Sequence, residues 1–410
     1  MGDMAAGVEG IPSSLADLAE RERQRRRAAL RVQREGAEAP PPRAGGAGVS
    51  EGREQKGGGR GAWAQRRPGI PEHLRLMRPE WMAVPPGELS SDWLVAARPE
   101  GRRCVVLSRG GHTVARDPLS GATLVSTSSS LPGGGGAREN GKGQQCALDC
   151  VLDGGRGGAK KCVEGRKLKF WVLDVLFWGD LEMLQCEAEM RVCWAASQVL
   201  EADPQGDLFA PVRFAPAEGG NVLEAYRGED LEYVRDGLLF LHREGHYLGG
   251  RGAASFSSPL ALLWKDEHCS RFPINTDGAG AVPALQRVVL RVVTAPDDGE
   301  DALAGTSDEP AVFVARVPVS ERGELRQGTL LNFFLEPAEL AGEKRPRLEE
   351  NELARVGEVC GRVLGQNVVF ESRAGPRRME ADAFSKIAFQ QRLRSGDPLT
   401  IQYLLQASMG

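Results

Sequence analysis

The chain has 410 residues, 41% of them hydrophobic, with a formal net charge of −4, long enough for about two or three domains with cores of their own. Near-neutrality excludes a molecule that grips polyanions over its whole surface, and no uninterrupted apolar run approaches the roughly 20 residues a membrane helix needs. The start, Met1-Gly2-Asp3-Met4, lacks a basic region followed by an apolar stretch, so no secretory leader is expected, and the eight cysteines read as reduced intracellular thiols rather than a disulfide framework.

Residues 1–12 are small and polar, and no structure is expected there. Ser14-Leu15-Ala16-Asp17 opens a helix: serine is a good N-cap, and an acid three positions on suits the first turn. Helix formers continue through Arg34, and Gly36 is a natural stop. Seven arginines lie between Arg21 and Arg34, a local basic concentration the overall balance conceals. From Gly36 to about Arg67, including Pro40-Pro41-Pro42 and Gly57-Gly58-Gly59, the composition buries too little apolar surface to offset ordering entropy, which predicts a flexible linker.

Strand signals begin at Trp93-Leu94-Val95 and recur at 104–107, 122–125, 147–151, 170–173, 189–192, 238–240 and 260–263. Glycine-rich breaks separate them, notably Gly133 to Gly136 and Gly154 to Gly158. A second set follows at 288–293, 312–315, 330–334 and 368–370, and two helical stretches, 383–394 and 399–407, end the chain. Short segments divided by turns predict an α+β chain with mostly antiparallel sheets. Cys146, Cys150 and Cys162 lack the paired Cys-x-x-Cys spacing of a metal site, and neither a metal nor another cofactor is expected. His242 and His246 read as structural, since Gly245 and a preceding strand do not make a ligand-bearing helix.

Arg98-Pro99-Glu100-Gly101-Arg102-Arg103 resembles the Lys-x-Asp-Gly-x-Arg motif of mRNA-capping enzymes and nucleic-acid ligases, with arginine where those enzymes have the lysine nucleophile. Covalent transfer needs a neutral amine, which a guanidinium does not provide. Further resemblances follow in order. Ala147-Leu148-Asp149-Cys150-Val151 is similar to their Leu-Asp-Gly-Glu strand, with Val151 in place of a carboxylate. Phe170 to Leu176 is similar to their aromatic strand, and Asp236-Gly237-Leu238-Leu239-Phe240 to their acid-Gly-aliphatic strand. Leu262-Leu263-Trp264-Lys265 is similar to Leu-Lys-Trp-Lys, with its first lysine lost. The resemblance implies a nucleotidyltransferase-like domain that binds a guanine nucleotide without reacting with it.

A closer resemblance is to the snurportin family of cap-binding import adaptors. It rests on Leu76-Met77-Arg78-Pro79-Glu80-Trp81, Ser128-Ser129-Ser130-Leu131-Pro132-Gly133-Gly134, Val172 to Trp178, and Asp236 to His242 with His246-Tyr247. It implies binding of the 2,2,7-trimethylguanosine cap of spliceosomal U snRNAs, whose delocalised positive charge suits aromatic faces. On this resemblance Trp81 and Trp264 sandwich the base, Lys142 contacts the triphosphate, and Ser126, Thr127 and Ser128 line the pocket. Pro79 stands where the family has a serine, so one hydroxyl contact is lost. Arg98 and Arg103 are further candidates for phosphate. Ser13-Ser14-Leu15 before Glu22-Arg23-Gln24-Arg25-Arg26-Arg27 is similar to the end of the family's importin-β-binding segment, which makes Arg21, Arg23, Arg25, Arg26 and Arg27 candidate contacts to an acidic groove. An exportin for recycling, and shuttling between nucleus and cytoplasm, are implied with it.

The expected organisation is a basic helical arm over 1–36, a linker over 37–68, a cap-binding domain over 69–284 and an OB-like extension over 285–410. Arg377-Arg378 with Asp382 and Lys386 is similar to the last motif of the capping enzymes, which leaves the extension as either a remnant lid or a platform for proteins. The alternative function is a capping-like or ligase-like enzyme with a displaced nucleophile, Lys142 or Lys265.

Overall fold

A computed structural model describes residues 8–9, 14–38, 74, 76–136, 144–153, 168–248, 257–269, 282–283, 285–294, 302–308, 311–317, 325–337, 359–364, 366–376, 378 and 380–409. Among the described residues the protein is α+β and mostly antiparallel, with three sheets. A five-stranded sheet runs in the order Ala215–Pro216, Trp93–Pro99, Arg235–His242, Ser257–Trp264 and Arg78–Trp81. A central sheet runs Phe209–Pro211, Lys169–Trp178, Gln145–Asp153, Arg102–Arg109, His112–Arg116 and Thr123–Thr127. The C-terminal sheet curls until Ala311–Arg316 approaches Val359–Val363, giving a barrel-like module.

Strand alternation decides what each sheet touches, because successive side chains point to opposite faces. In the five-stranded sheet Leu94, Leu241 and Ala261 pack on Val105, Leu107 and Ala147 of the central sheet. Trp93, Val95, Leu238, Phe240, Leu262 and Trp264 point the other way and share one core with Leu290, Phe333, Phe384, Ile387 and Phe389. Both faces are buried, which is why these strands read as near-continuous apolar runs. Each such core side chain contributes about 1.5–3 kcal/mol of burial. The C-terminal module is therefore fused through this core to the face of the sheet that looks away from the central sheet, rather than arched over the space between the two.

The N-terminal helix, Leu15–Glu38, forms where the cap signal places it, and the Asp17 amide donates to Ser14 Oγ at 3.1 Å. It passes Gly36 rather than stopping there. It is also packed on the body. Leu18, Glu22 and Arg26, spaced at the helical i, i+4 interval, are buried. Leu18 enters the core shared with the C-terminal module. Arg34 pairs with Glu244 at 2.8 Å.

Two further expectations are corrected. Residues 189–192 lie in the helix Ala188–Ala202, whose buried Ala188, Val192, Ala195 and Val199 follow a helical period that a four-residue window conceals. Val8–Glu9 form a strand parallel to Ala311–Arg316, although residues 1–12 were expected to lack structure. Residues on both sides of the expected 284/285 boundary contribute to one continuous core. Residues 39–68 of the expected linker lie outside the described residues.

Candidate functional site

Two glycines bring the chemistry-bearing residues to the space between the sheets. Gly101, at φ +154°, turns the chain from the five-stranded sheet into the central one. A Cβ there would lie 2.3 Å from the Leu152 carbonyl oxygen. Arg98 and Arg103 consequently sit on opposite sheets. Gly237, at φ +103°, occupies a register shift between Arg235 and Leu238. A Cβ there would meet the Trp264 carbonyl oxygen at 2.5 Å, so this bulge accepts only glycine.

Beside that bulge Asp236 is buried and ties two cations together. Lys265 Nζ donates to its Oδ1 at 2.7 Å, and the Arg98 guanidinium donates to Oδ2. On the facing sheet Arg103 Nε donates to Asp149 Oδ1 at 2.9 Å, and the Tyr247 hydroxyl donates to Asp149 Oδ2 at 2.8 Å. The Met77 amide closes the network by donating to the Tyr247 oxygen at 3.0 Å. Deeper, Arg191 donates to both Asp174 oxygens at 2.9 Å. Burial pushes the Tyr247 hydroxyl well up and the Lys265 ammonium down from their ordinary values, and Asp236 opposes the latter shift.

Pro79, Arg98, Arg103, Asp149, Asp174 and Tyr247 are among the residues around a cavity of about 30 Å³. That is room for one or two waters, too little for a purine. Arg98 and Arg103, candidates for phosphate, are committed to carboxylates of the protein itself. Among the described residues the space between the two sheets is narrow, and its arginines and lysine are paired with carboxylates of the chain itself.

The expected indole sandwich is not formed. Trp264 is 0% exposed. It faces the C-terminal module, donates from Nε1 to the Leu399 carbonyl at 2.7 Å, and lies 5.9 Å from the Tyr226 ring. Alternation along Ser257–Trp264 turns Ala261 towards the cavity and Trp264 away from it. Trp81 is only partly buried and rests on Phe389, with ring centroids 5.0 Å apart. The two tryptophans sit on adjacent strands, where Trp81 registers with Leu263 rather than with Trp264. Ser126 and Ser128 are exposed and Thr127 is partly exposed, at the edge strand of the central sheet. No described contact joins them to Trp81. Lys142 lies outside the described residues.

Of the candidate importin contacts, Arg23 and Arg27 are exposed, whereas Arg26 is buried and Arg21 holds its guanidinium 5.2 Å over the Phe384 ring. Arg25 grips Glu80 with two hydrogen bonds, at 2.8 and 2.7 Å. Sequence reasoning overlooked Glu80. It is 1% exposed, and its partner lies 55 positions earlier in the chain, so no local pattern betrays it. The capping-like C-terminal residues are used structurally. Lys386 pairs with Asp382 at 2.7 Å, Arg378 pairs with the same carboxylate, and Asp382 Oδ2 accepts from the Val289 amide at 2.9 Å. Arg377 lies outside the described residues.

Residues 75–256 match the model of the family described as Snurportin1, m3G cap-binding domain. This stretch is similar to that family's cap-binding domain. The match includes Pro79, Trp81, Ser126, Thr127, Ser128 and Lys142, and it ends before Trp264. Among solved structures, the ligase domain of M. tuberculosis LigD is 14% identical, with 67% of this chain and 91% of that chain covered at a TM-score of 0.34. The Chlorella virus DNA ligase-adenylate is 10% identical, with 74% of this chain and 99% of that chain covered at a TM-score of 0.28. Scores this low leave these two likenesses loose.

Proposed function

We propose that this protein binds the m3G cap of small nuclear RNAs without transforming it, and that it serves as an adaptor carrying capped ribonucleoproteins to importin-β. The observation that carries the reading is the family match over 75–256. The chemistry around Arg98 agrees with it. A guanidinium stands at the nucleophile position of the capping-enzyme motif, and its partner Asp236 is already shared with Lys265. In this reading the methylated base stacks on Trp81 alone, a contact contributing about 1–3 kcal/mol. Lys142 meets the triphosphate, and Ser126, Thr127, Ser128 and Pro79 border the approach. Importin-β takes the N-terminal arginines, an exportin returns the adaptor, and the protein shuttles between cytoplasm and nucleus.

Titration with an m3G cap analogue tests the cap reading through tryptophan fluorescence. Saturable quenching that Trp81→Ala removes and Trp264→Phe retains is expected. No saturable signal in the wild-type protein would refute it. The second reading, nucleotidyl transfer through Lys265, draws on the downward push that burial gives its ammonium. Incubation with labelled GTP and ATP separates the two, because a covalent protein–nucleotide adduct belongs only to the enzyme.

A further inference from the structure

The N-terminal helix lies at the junction of the two modules, and Arg25 is its pivot. The guanidinium holds Glu80 of the five-stranded sheet and stands 3.8 Å from Asp308 of the C-terminal module. The Arg25 side chain is 10% exposed, and those of Glu80 and Asp308 are 0% exposed. A buried carboxylate of this kind needs a partner to offset its lost hydration, and the helix provides it. Leu18, about two turns earlier, is seated in the shared core. Further along, Gln33 Oε1 accepts from the His246 amide at 3.3 Å. The docking therefore involves an apolar anchor, a buried ion pair and a polar tail contact, spread over four turns.

The basic residues divide between two faces. Arg23, Arg27 and Arg31 look outward, whereas Arg21, Arg25 and Arg26 look inward. A receptor that recognises a basic helix through an acidic groove has access to only the outward set while the helix is docked. We propose that the helix is an intramolecular ligand of this protein, latched by Arg25 on Glu80, and that it must lift before such a receptor can take the whole basic face. This deepens the adaptor reading and rests on it. In the closed form the receptor's apparent affinity is reduced by the fraction of molecules whose helix is released. Glu80 neighbours Trp81, so the latch occupies the same short strand as the residue proposed to stack the cap.

The test uses the full chain. Glu80→Gln removes the carboxylate charge while leaving every arginine intact, and Leu18→Ala weakens the apolar anchor independently. Hydrogen–deuterium exchange of the amides in 15–38 reports the docking itself. Slow exchange is expected in the wild type and, because a buried ion pair and an anchor are lost, at least about tenfold faster exchange in both variants. The charge swap Arg25→Glu with Glu80→Arg is expected to recover part of the protection. Binding of importin-β is then compared among the wild type, Glu80→Gln and the free 1–38 peptide, with affinity expected to rise in that order. Wild-type exchange as fast as in the free peptide overturns the docking. Protection lost in Glu80→Gln with unchanged receptor affinity overturns its inhibitory role. Protection confirmed, with neither full chain nor peptide binding importin-β, retains the docking but overturns the adaptor reading and the inhibitory role resting on it.

Discussion

Replacing Trp264 separates the sequence expectation from the structure most sharply. A cap-stacking residue loses ligand affinity when truncated but leaves the fold intact, and a core residue does the reverse. Trp264 has no exposed surface, packs near Tyr226 and donates to the Leu399 carbonyl at 2.7 Å. Truncating a buried tryptophan to alanine costs about 3–5 kcal/mol. Orphaning the Leu399 acceptor adds roughly 1 kcal/mol, so Trp264→Ala is expected to destabilise by about 4–6 kcal/mol. Trp264→Phe keeps most of the packing and loses the hydrogen bond, for about 1–2 kcal/mol. Urea unfolding followed by far-ultraviolet circular dichroism measures both, and cap-analogue titration of the folded Trp264→Phe protein measures affinity. A Trp264→Ala variant of wild-type stability that no longer binds cap would refute the burial argument and restore the sandwich.

Other outcomes follow from the same geometry. Asp236→Ala leaves Arg98 and Lys265 facing each other without their shared carboxylate, and destabilisation by about 3–5 kcal/mol is expected; denaturant titration showing less than about 1 kcal/mol would dismiss the triad as a structural element. Gly237→Ala forces a Cβ to within 2.5 Å of the Trp264 carbonyl oxygen, so a loss of about 2 kcal/mol or more is expected, and a neutral result would show that the bulge relaxes. His242 packs edge-on against Trp93, with centroids 5.2 Å apart, and burial lowers its pKa from 6.5. Below that value the unfolded chain binds the proton more readily than the folded one, so the stability contribution is present above pH 6.5 and fades as pH falls beneath it. His242→Gln is expected to flatten that part of the stability–pH curve, which pH-resolved urea midpoints check; an unchanged slope would exclude His242 as its source.

Much of the architecture could be read locally. Runs such as Phe170 to Leu173 and Leu260 to Leu263, bounded by glycine-rich breaks, are strands because apolar, branched and aromatic side chains fill a buried pleat. Ser14 caps its helix because a hydroxyl reaches a first-turn amide without long-range help. The helix Ala188–Ala202 escaped a short window, since its buried stripe becomes visible only over several turns. The site was harder to read. Asp149, Asp236 and Arg98 were singled out as a nucleotide-site framework, yet their pairing partners come from distant strands. That pairing commits the framework's cations to carboxylates of the chain itself.

Residue order alone determined the strand succession, the basic helix and the motif wording by which 75–256 resembles the snurportin cap-binding domain, because propensity, capping and alternation act over a few neighbouring positions. Tertiary structure decided that Trp264 faces the C-terminal module rather than the cleft, and that Arg25 reaches Glu80 rather than solvent. Both depend on which face of an element is covered and by what, a question settled by contacts between residues far apart in the chain.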